Sequence, residues 1–158
     1  MSAEWEFLIT LNERLRPLRD PIDIQETAVR LLGQHFLASR VHYAFIDDCE
    51  YIIVRSYADG VPPFTGRGSI ARFGSAIVEA CRRGETVVVD DVESDTRFTD
   101  AERQQLREAR IAAFIGAPLI KDRQWRAIFG VHSTAAACVV ARSDRARRGD
   151  CRAHVGRG

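Results

Sequence analysis

Four carboxylates crowd into six positions, Asp90, Asp91, Glu93 and Asp95, and a guanidinium and a phenyl ring follow at Arg97 and Phe98. Carboxylates at this spacing can share a magnesium ion with phosphate oxygens. The plainer reading is that they cap turns and the helix that follows, so no metal is expected. Arg97 beside an apolar ring can pair with a ligand carboxylate or phosphate, or with Asp91 or Asp95 inside its own loop. The four cysteines, Cys49, Cys81, Cys138 and Cys151, include no CxxC pair, which argues against a zinc ribbon or a disulfide framework. Reduced thiols are expected, with Cys81 a buried helical residue. His35, His42 and His132 stand at no spacing diagnostic of a catalytic triad or a Cys/His site. Gly66-Arg67-Gly68 lacks the Lys and Ser/Thr of a phosphate loop. The sequence supports no catalytic chemistry of its own.

A chain of 158 residues with 46% apolar residues, 28% charged residues and a net charge of +1 reads as one globular domain. No apolar run reaches the length of a membrane helix, and Met1-Ser2-Ala3-Glu4 lacks the regions of a signal peptide. A cytoplasmic protein that engages no membrane is expected. Arginine supplies 22 of the 23 basic residues and Lys121 is the single lysine. From Ala135 to Gly158 six arginines face two aspartates, a net of +4, so the remainder carries −3. That segment has no aromatic interleaving, and no nucleic-acid partner is expected.

The elements that must position these residues follow from periodicity. Trp5, Leu8, Ile9, Asn12 and Leu15 recur at helical spacing, and Pro17 ends that helix. Asp20 as N-cap and Pro21 in the first turn open a second helix carrying Ile24, Ala28, Val29, Leu32 and Phe36. Arg40 to Ile46 and Glu50 to Tyr57 read as a hairpin. The stretch from Gly60 to Gly68 reads as a loop, Ser69 opens a short helix, and Gly74 to Arg83 forms another, stopped by Gly84. Thr86 to Val89 is a short strand. Thr99 with Glu102 has capping-box spacing, and Ala112 to Ile120 with Gln124 to Ser133 makes a second hairpin. The fold class is α+β, with an antiparallel sheet of five to six strands and helices on both faces.

Four segments give this order a family. They are Ala38-Ser39-Arg40-Val41, Arg83-Gly84-Glu85-Thr86-Val87-Val88-Val89-Asp90-Asp91-Val92, Asp95-Thr96-Arg97-Phe98, and Ala117-Pro118-Leu119-Ile120-Lys121-Asp122 ahead of Phe129-Gly130-Val131-His132. Over about Pro17 to Thr134 the chain resembles a GAF domain, the small-molecule-sensing relative of the PAS domain. Asp95-Thr96-Arg97 stands where the family usually has Asp-Pro-Arg, and Arg123 where it commonly has Gly. The resemblance implies a ligand site between the sheet and the loops from Val61 to Arg110, but names no ligand, so the cofactor is unknown. The expected lining is Tyr43, Tyr57, Phe73 and Phe98, with Asp91 and Arg97 at the loop and His132 at the end of the last strand, where phytochrome-like relatives can have a pocket histidine.

Residues 1–134 are thus the sensory domain and residues 135–158 an Arg-rich tail. The family continues here with a long amphipathic helix, yet from Ala135 onward there is no Leu, Ile, Phe, Trp, Tyr or Met. Written in GC-rich synonymous codons and read one base on, the segment yields a Ser-Pro helix start and an apolar stripe. The expectation is therefore a frameshift that removes the helix, with a natural disordered tail as the alternative. Loss of about five large apolar side chains removes roughly 8 to 15 kcal/mol of burial, comparable with the whole stability of a domain. Marginal folding, or a homodimer through the terminal helices, is expected. The resemblance is strongest to the non-catalytic module at the front of bacterial two-component sensor histidine kinases, which makes an unknown small molecule and a downstream kinase domain the expected partners. A thiol enzyme of the free methionine sulfoxide reductase kind and a ligand-free dimerisation domain are the alternatives.

Overall fold

A computed structural model describes residues 2–136. Of the expected tail, 135–158, all but residues 135 and 136 lies outside the described residues, as does the expected frameshift. The chain opens in α1 (Ala3–Leu15), whose Ala3, Phe7, Leu11 and Leu15 are half-buried at a spacing of four. Phe7 stacks on His35 of α2 (Pro21–Phe36) with ring centroids 3.8 Å apart. Asp20 starts α2 by accepting hydrogen bonds from the N–H groups of Ile22 at 2.7 Å and Asp23 at 3.3 Å. Leu37 ends it in the left-handed region (φ 50°). That turn sends the chain directly into β1 (Arg40–Asp47), which pairs antiparallel with β2 (Glu50–Ala58).

The segment expected to be wholly loop contains a strand, β3 (Gly66–Ser69), paired antiparallel with β2. Its backbone pairing is joined by one exposed side-chain contact, Arg67 donating to the Glu50 carboxylate of β2 at 2.9 Å, and it carries no apolar alternation, so its composition hides it. Opposite Gly68 stands Tyr51, whose ring lies where a side chain at that position would be. Ser69 caps a short 3-10 helix (Ile70–Phe73), and α3 (Ser75–Arg82) follows, ended by Gly84 at φ 80°. β4 (Val87–Val89), α4 (Asp100–Glu108), β5 (Ala113–Lys121) and β6 (Gln124–Ser133) complete the order. Thr99 and Glu102 form the expected capping box on α4.

The sheet has six strands, all antiparallel, in the order β3-β2-β1-β6-β5-β4. Its two faces bury separate cores. On one face Val29 of α2 packs with Ala38, Val41, Ala113 and Val131, and Tyr43, Tyr57 and Phe129 pack around them. On the opposite face, α3, α4 and the 3-10 helix close over two clusters, one around Val89, Phe98, Leu106 and Phe114 and one around Ala44, Tyr51, Ile53 and Ile70.

Candidate functional site

Strand alternation decides which side chains meet on the second face. Successive residues of a strand point to opposite sides, so Arg40, His42, Ala44 and Ile46 of β1 face α3 while Val41 and Tyr43 face α2. Cross-strand partners share a side, and β6 therefore contributes His132, Gly130 and Ile128, which pair with Arg40, His42 and Ala44. Two irregularities then change the parity. The β1–β2 register shifts between Tyr43 and Ala44, so that Ala44 pairs with Ile53 but Tyr43 with Arg55. Tyr51 and Ile53 thereby face α3, while Arg55 and Tyr57 face α2. A second shift between Leu119 and Ile120 pairs Ile120 with Trp125, which puts Trp125 on the same side as Ile128. Gly130 is required at its place because the His42 ring occupies the space a side chain there would fill.

These residues enclose a cavity of about 40 Å³ between the sheet and the helices above it. Its floor is His42, Ala44 and Ile46 of β1, Tyr51 of β2, Phe114, Ile115 and Gly116 of β5, and Trp125, Ile128, Gly130 and His132 of β6. Its roof is Ile70 and Phe73 of the 3-10 helix with Ile77, Val78 and Cys81 of α3. The space would hold a few water molecules at roughly 10 to 15 Å³ each. Ordinary small-molecule sites are about 300 to 1,000 Å³, so this cavity is far smaller than one.

The polar groups of the wall are few. His42 and His132 are buried, their ring centroids 4.8 Å apart, and the Nδ1 atom of each has no hydrogen-bond partner. Burial, with the charge of Arg40 adding to it, pushes the His42 imidazole down to about 4. Burial first, then His42, Arg40 and Arg72, holds His132 well below its ordinary value. Burial pushes the Cys81 thiol up to about 11, which favours the neutral thiol over the nucleophilic thiolate at neutral pH. Such a wall can hold an apolar or aromatic body and exchange one or two hydrogen bonds with it.

Of the residues expected to line a site, Phe73 and His132 are on the cavity wall. Tyr43 and Tyr57 are not. They pack on the other face of the sheet, against the α2 core, Tyr43 by simple alternation and Tyr57 because of the bulge. The Tyr57 ring fills the space beside Gly33 of α2. Phe98 belongs to the neighbouring core cluster, with its ring 6.2 Å from that of Phe114. Arg97 takes the alternative partner: it contacts Asp95 at 2.7 Å and donates to the Val88 carbonyl at 2.7 Å. Asp91 accepts from the Glu93 N–H at 2.9 Å and closes a turn. Among the described residues no group of three or more His, Cys, Asp or Glu side chains could hold a metal ion. Sequence reasoning missed His42, Tyr51 and Trp125. For His42 a signal existed, since it alternates with Ala44 and Ile46 on one strand face, and a histidine in an apolar stripe is a buried polar group.

The GAF domain family model matches residues 20–150. None of the curated protein sequences compared with the chain matches it. Among solved structures, the phycocyanobilin-bound GAF domain of a cyanobacterial phytochrome shares 13% identity, covering 94% of this chain and 89% of that one, with a TM-score of 0.74. The chromophore-binding domain of Stigmatella aurantiaca phytochrome P1 shares 12% identity over 94% of this chain at a TM-score of 0.72. This chain spans only 60% of that structure's length. The free methionine-R-sulfoxide reductase of Neisseria meningitidis, solved with its substrate, shares 17% identity, covering 92% of this chain and 90% of that one, at a TM-score of 0.65. At these identities the likeness is one of fold.

Proposed function

The chain belongs to the GAF domain family, and from that premise we propose that it is a cytoplasmic, non-catalytic sensory module that binds a small molecule and, in an intact two-component protein, biases a histidine kinase. The observation that carries the ligand-binding reading is the apolar cavity with two buried, unpartnered imidazole nitrogens on its wall. A buried polar atom without a partner is costly, and a ligand that supplies one is favoured. No helix among the described residues is long and apolar enough to cross a membrane, which agrees with a cytoplasmic site of action.

The output follows from the strand geometry. On β1, His42 faces the cavity and its neighbours Val41 and Tyr43 lie under α2. A ligand that displaces His42 moves the surface on which the terminal helices pack. It shifts their arrangement by as much as its affinity differs between the two forms.

Trp125 on the wall reports occupancy. In a Trp5→Phe background, toluene is expected to change Trp125 emission saturably. A linear response like that of free tryptophan would overturn the binding reading. Sequencing the gene through and beyond the Thr134 codon tests the kinase: an open reading of a kinase domain in either frame supports it, and its absence overturns it. The thiol-enzyme reading requires Cys81 as a thiolate, and any measured sulfoxide reductase activity lost in Cys81→Ser would restore it.

A further inference from the structure

Beside the cavity lies a cluster of charge that the cavity itself does not use. Arg40 is 3% exposed, and its two hydrogen bonds go to backbone carbonyls, Nε to Pro62 at 2.7 Å and Nη1 to Ala109 at 2.8 Å. Arg72 donates to the Tyr51 hydroxyl at 2.9 Å. Neither arginine has a carboxylate partner among the described residues. The charges that Arg40 feels are those of Arg110 and Arg72, both of its own sign. A desolvated guanidinium among like charges is costly, and an anion would offset it.

Both guanidiniums lie over the ring of Phe64, 4.6 Å and 5.4 Å from its centroid. The same ring stands 6.0 Å from His42 and 5.3 Å from His132, the two imidazoles of the cavity wall. Phe64 comes from the irregular segment between β2 and β3 and is only half-buried. It is an aromatic ring on a loop, with two cations and two imidazole rings packed around it.

We propose that Phe64 occupies the place of a ligand's ring, and that the site takes a small aromatic carboxylate whose ring replaces Phe64 against His42 and His132 and whose carboxylate lies between Arg40 and Arg72. The guanidinium fork matches a carboxylate in two parallel hydrogen bonds. Withdrawal of Phe64 would free the space of a phenyl ring next to His42 and His132 of the cavity wall. The inference rests on reading the cavity as a ligand site, and the probes below separate the two.

Benzoate, its neutral isostere benzamide, and toluene are titrated calorimetrically into the full chain and into Phe64→Ala, Arg72→Gln and the double variant. Phe64 competes with the ligand, so its removal relieves a conformational cost, and Phe64→Ala is expected to bind benzoate about tenfold more tightly than the wild type. Benzamide is expected to bind at least about tenfold more weakly than benzoate, and Arg72→Gln to abolish that preference. Phe64→Leu, which keeps an apolar anchor in the loop, repeats the comparison should Phe64→Ala not fold. Binding of toluene with no preference for benzoate over benzamide would overturn the carboxylate inference and leave the cavity reading standing. No binding of any of the three would overturn both.

Discussion

Two imidazoles held away from water tie the stability of the fold to pH in a window of their own. Because burial lowers both histidines, the unfolded chain takes up protons below the ordinary value near 6.5 while the folded chain does not. The unfolded state then binds more protons, so stability falls as pH falls. For His42 the loss runs from about 6.5 down to its folded value of about 4. The expected slope is roughly 1 kcal/mol per pH unit for each imidazole, read from urea midpoints between pH 7 and 4.5. His42→Leu is expected to flatten it by about half, and an unchanged slope would show that His42 is not the buried neutral group described. Carboxylates titrate in a lower window. Glu102, held below the usual carboxylate range by the Thr99 N–H first and then by the Ser75 N–H, contributes stability above about 4.5 and loses it as pH falls through its folded value. At this scale the sequence was only partly readable. The type and loop position of Arg97 suggested both a ligand partner and an Asp95 partner, and only geometry chose Asp95. For Tyr43 and Tyr57 the residue type was informative but the face was not, because face depends on where a strand starts and whether it bulges.

Among the elements, α4 is the one that fixes the cavity's roof from outside. The Glu102 carboxylate accepts from its own capping partner, the Thr99 N–H at 2.8 Å, and also from the Ser75 N–H at 3.1 Å, the first residue of α3. One carboxylate thus closes the N-termini of two helices, each of which has backbone donors without intrahelical partners. Glu102→Ala strands both donors and is expected to cost about 1 to 3 kcal/mol in urea unfolding at neutral pH, with Glu102→Gln losing less. A loss no larger than that of an exposed surface substitution would mean that α3 is held by its apolar face alone. The capping box itself was legible as Thr99 followed three residues later by Glu102; the reach across to Ser75 was not, since nothing local sets two helix starts side by side. Helices with caps and strands with β-branched runs could be read in the same way. β3 could not, because Gly66-Arg67-Gly68-Ser69 has no apolar side chain to alternate and joins the sheet by backbone pairing and one exposed Arg67–Glu50 contact. The bulges that re-aim Trp125 and Tyr57 are equally silent in sequence, as a single extra residue changes parity without changing composition.

At the scale of the whole molecule, the sheet separates the cavity from a pair of helices, and one of those helices is unfinished on its outer side. α1 buries no residue fully, and its inward stripe of Phe7, Leu11 and Leu15 is only half-buried against α2. A second stripe, Trp5, Leu8 and Ile9, is 62%, 50% and 44% exposed. Two apolar stripes on one helix, one against α2 and one bare, fit a helix meant to lie between its own domain and another surface. A second copy of the chain is the expected occupant, since it would present the same stripe in return, as a two-fold interface demands. Sedimentation equilibrium at tens of micromolar is expected to show a dimer, and Leu8→Glu to weaken it by at least about tenfold without moving the urea midpoint of the monomer. The two readouts distinguish the explanations. A lowered midpoint would make Leu8 part of the domain's own packing, and a wild type that stays monomeric would leave the stripe for a different partner. If the dimer forms, the half-buried stripe against α2 and the bare stripe on the other side of α1 place the interface one helix away from the surface that Val41 and Tyr43 support. A rearrangement started at His42 would then be felt at the contact between two copies, the place from which a signal could leave the domain.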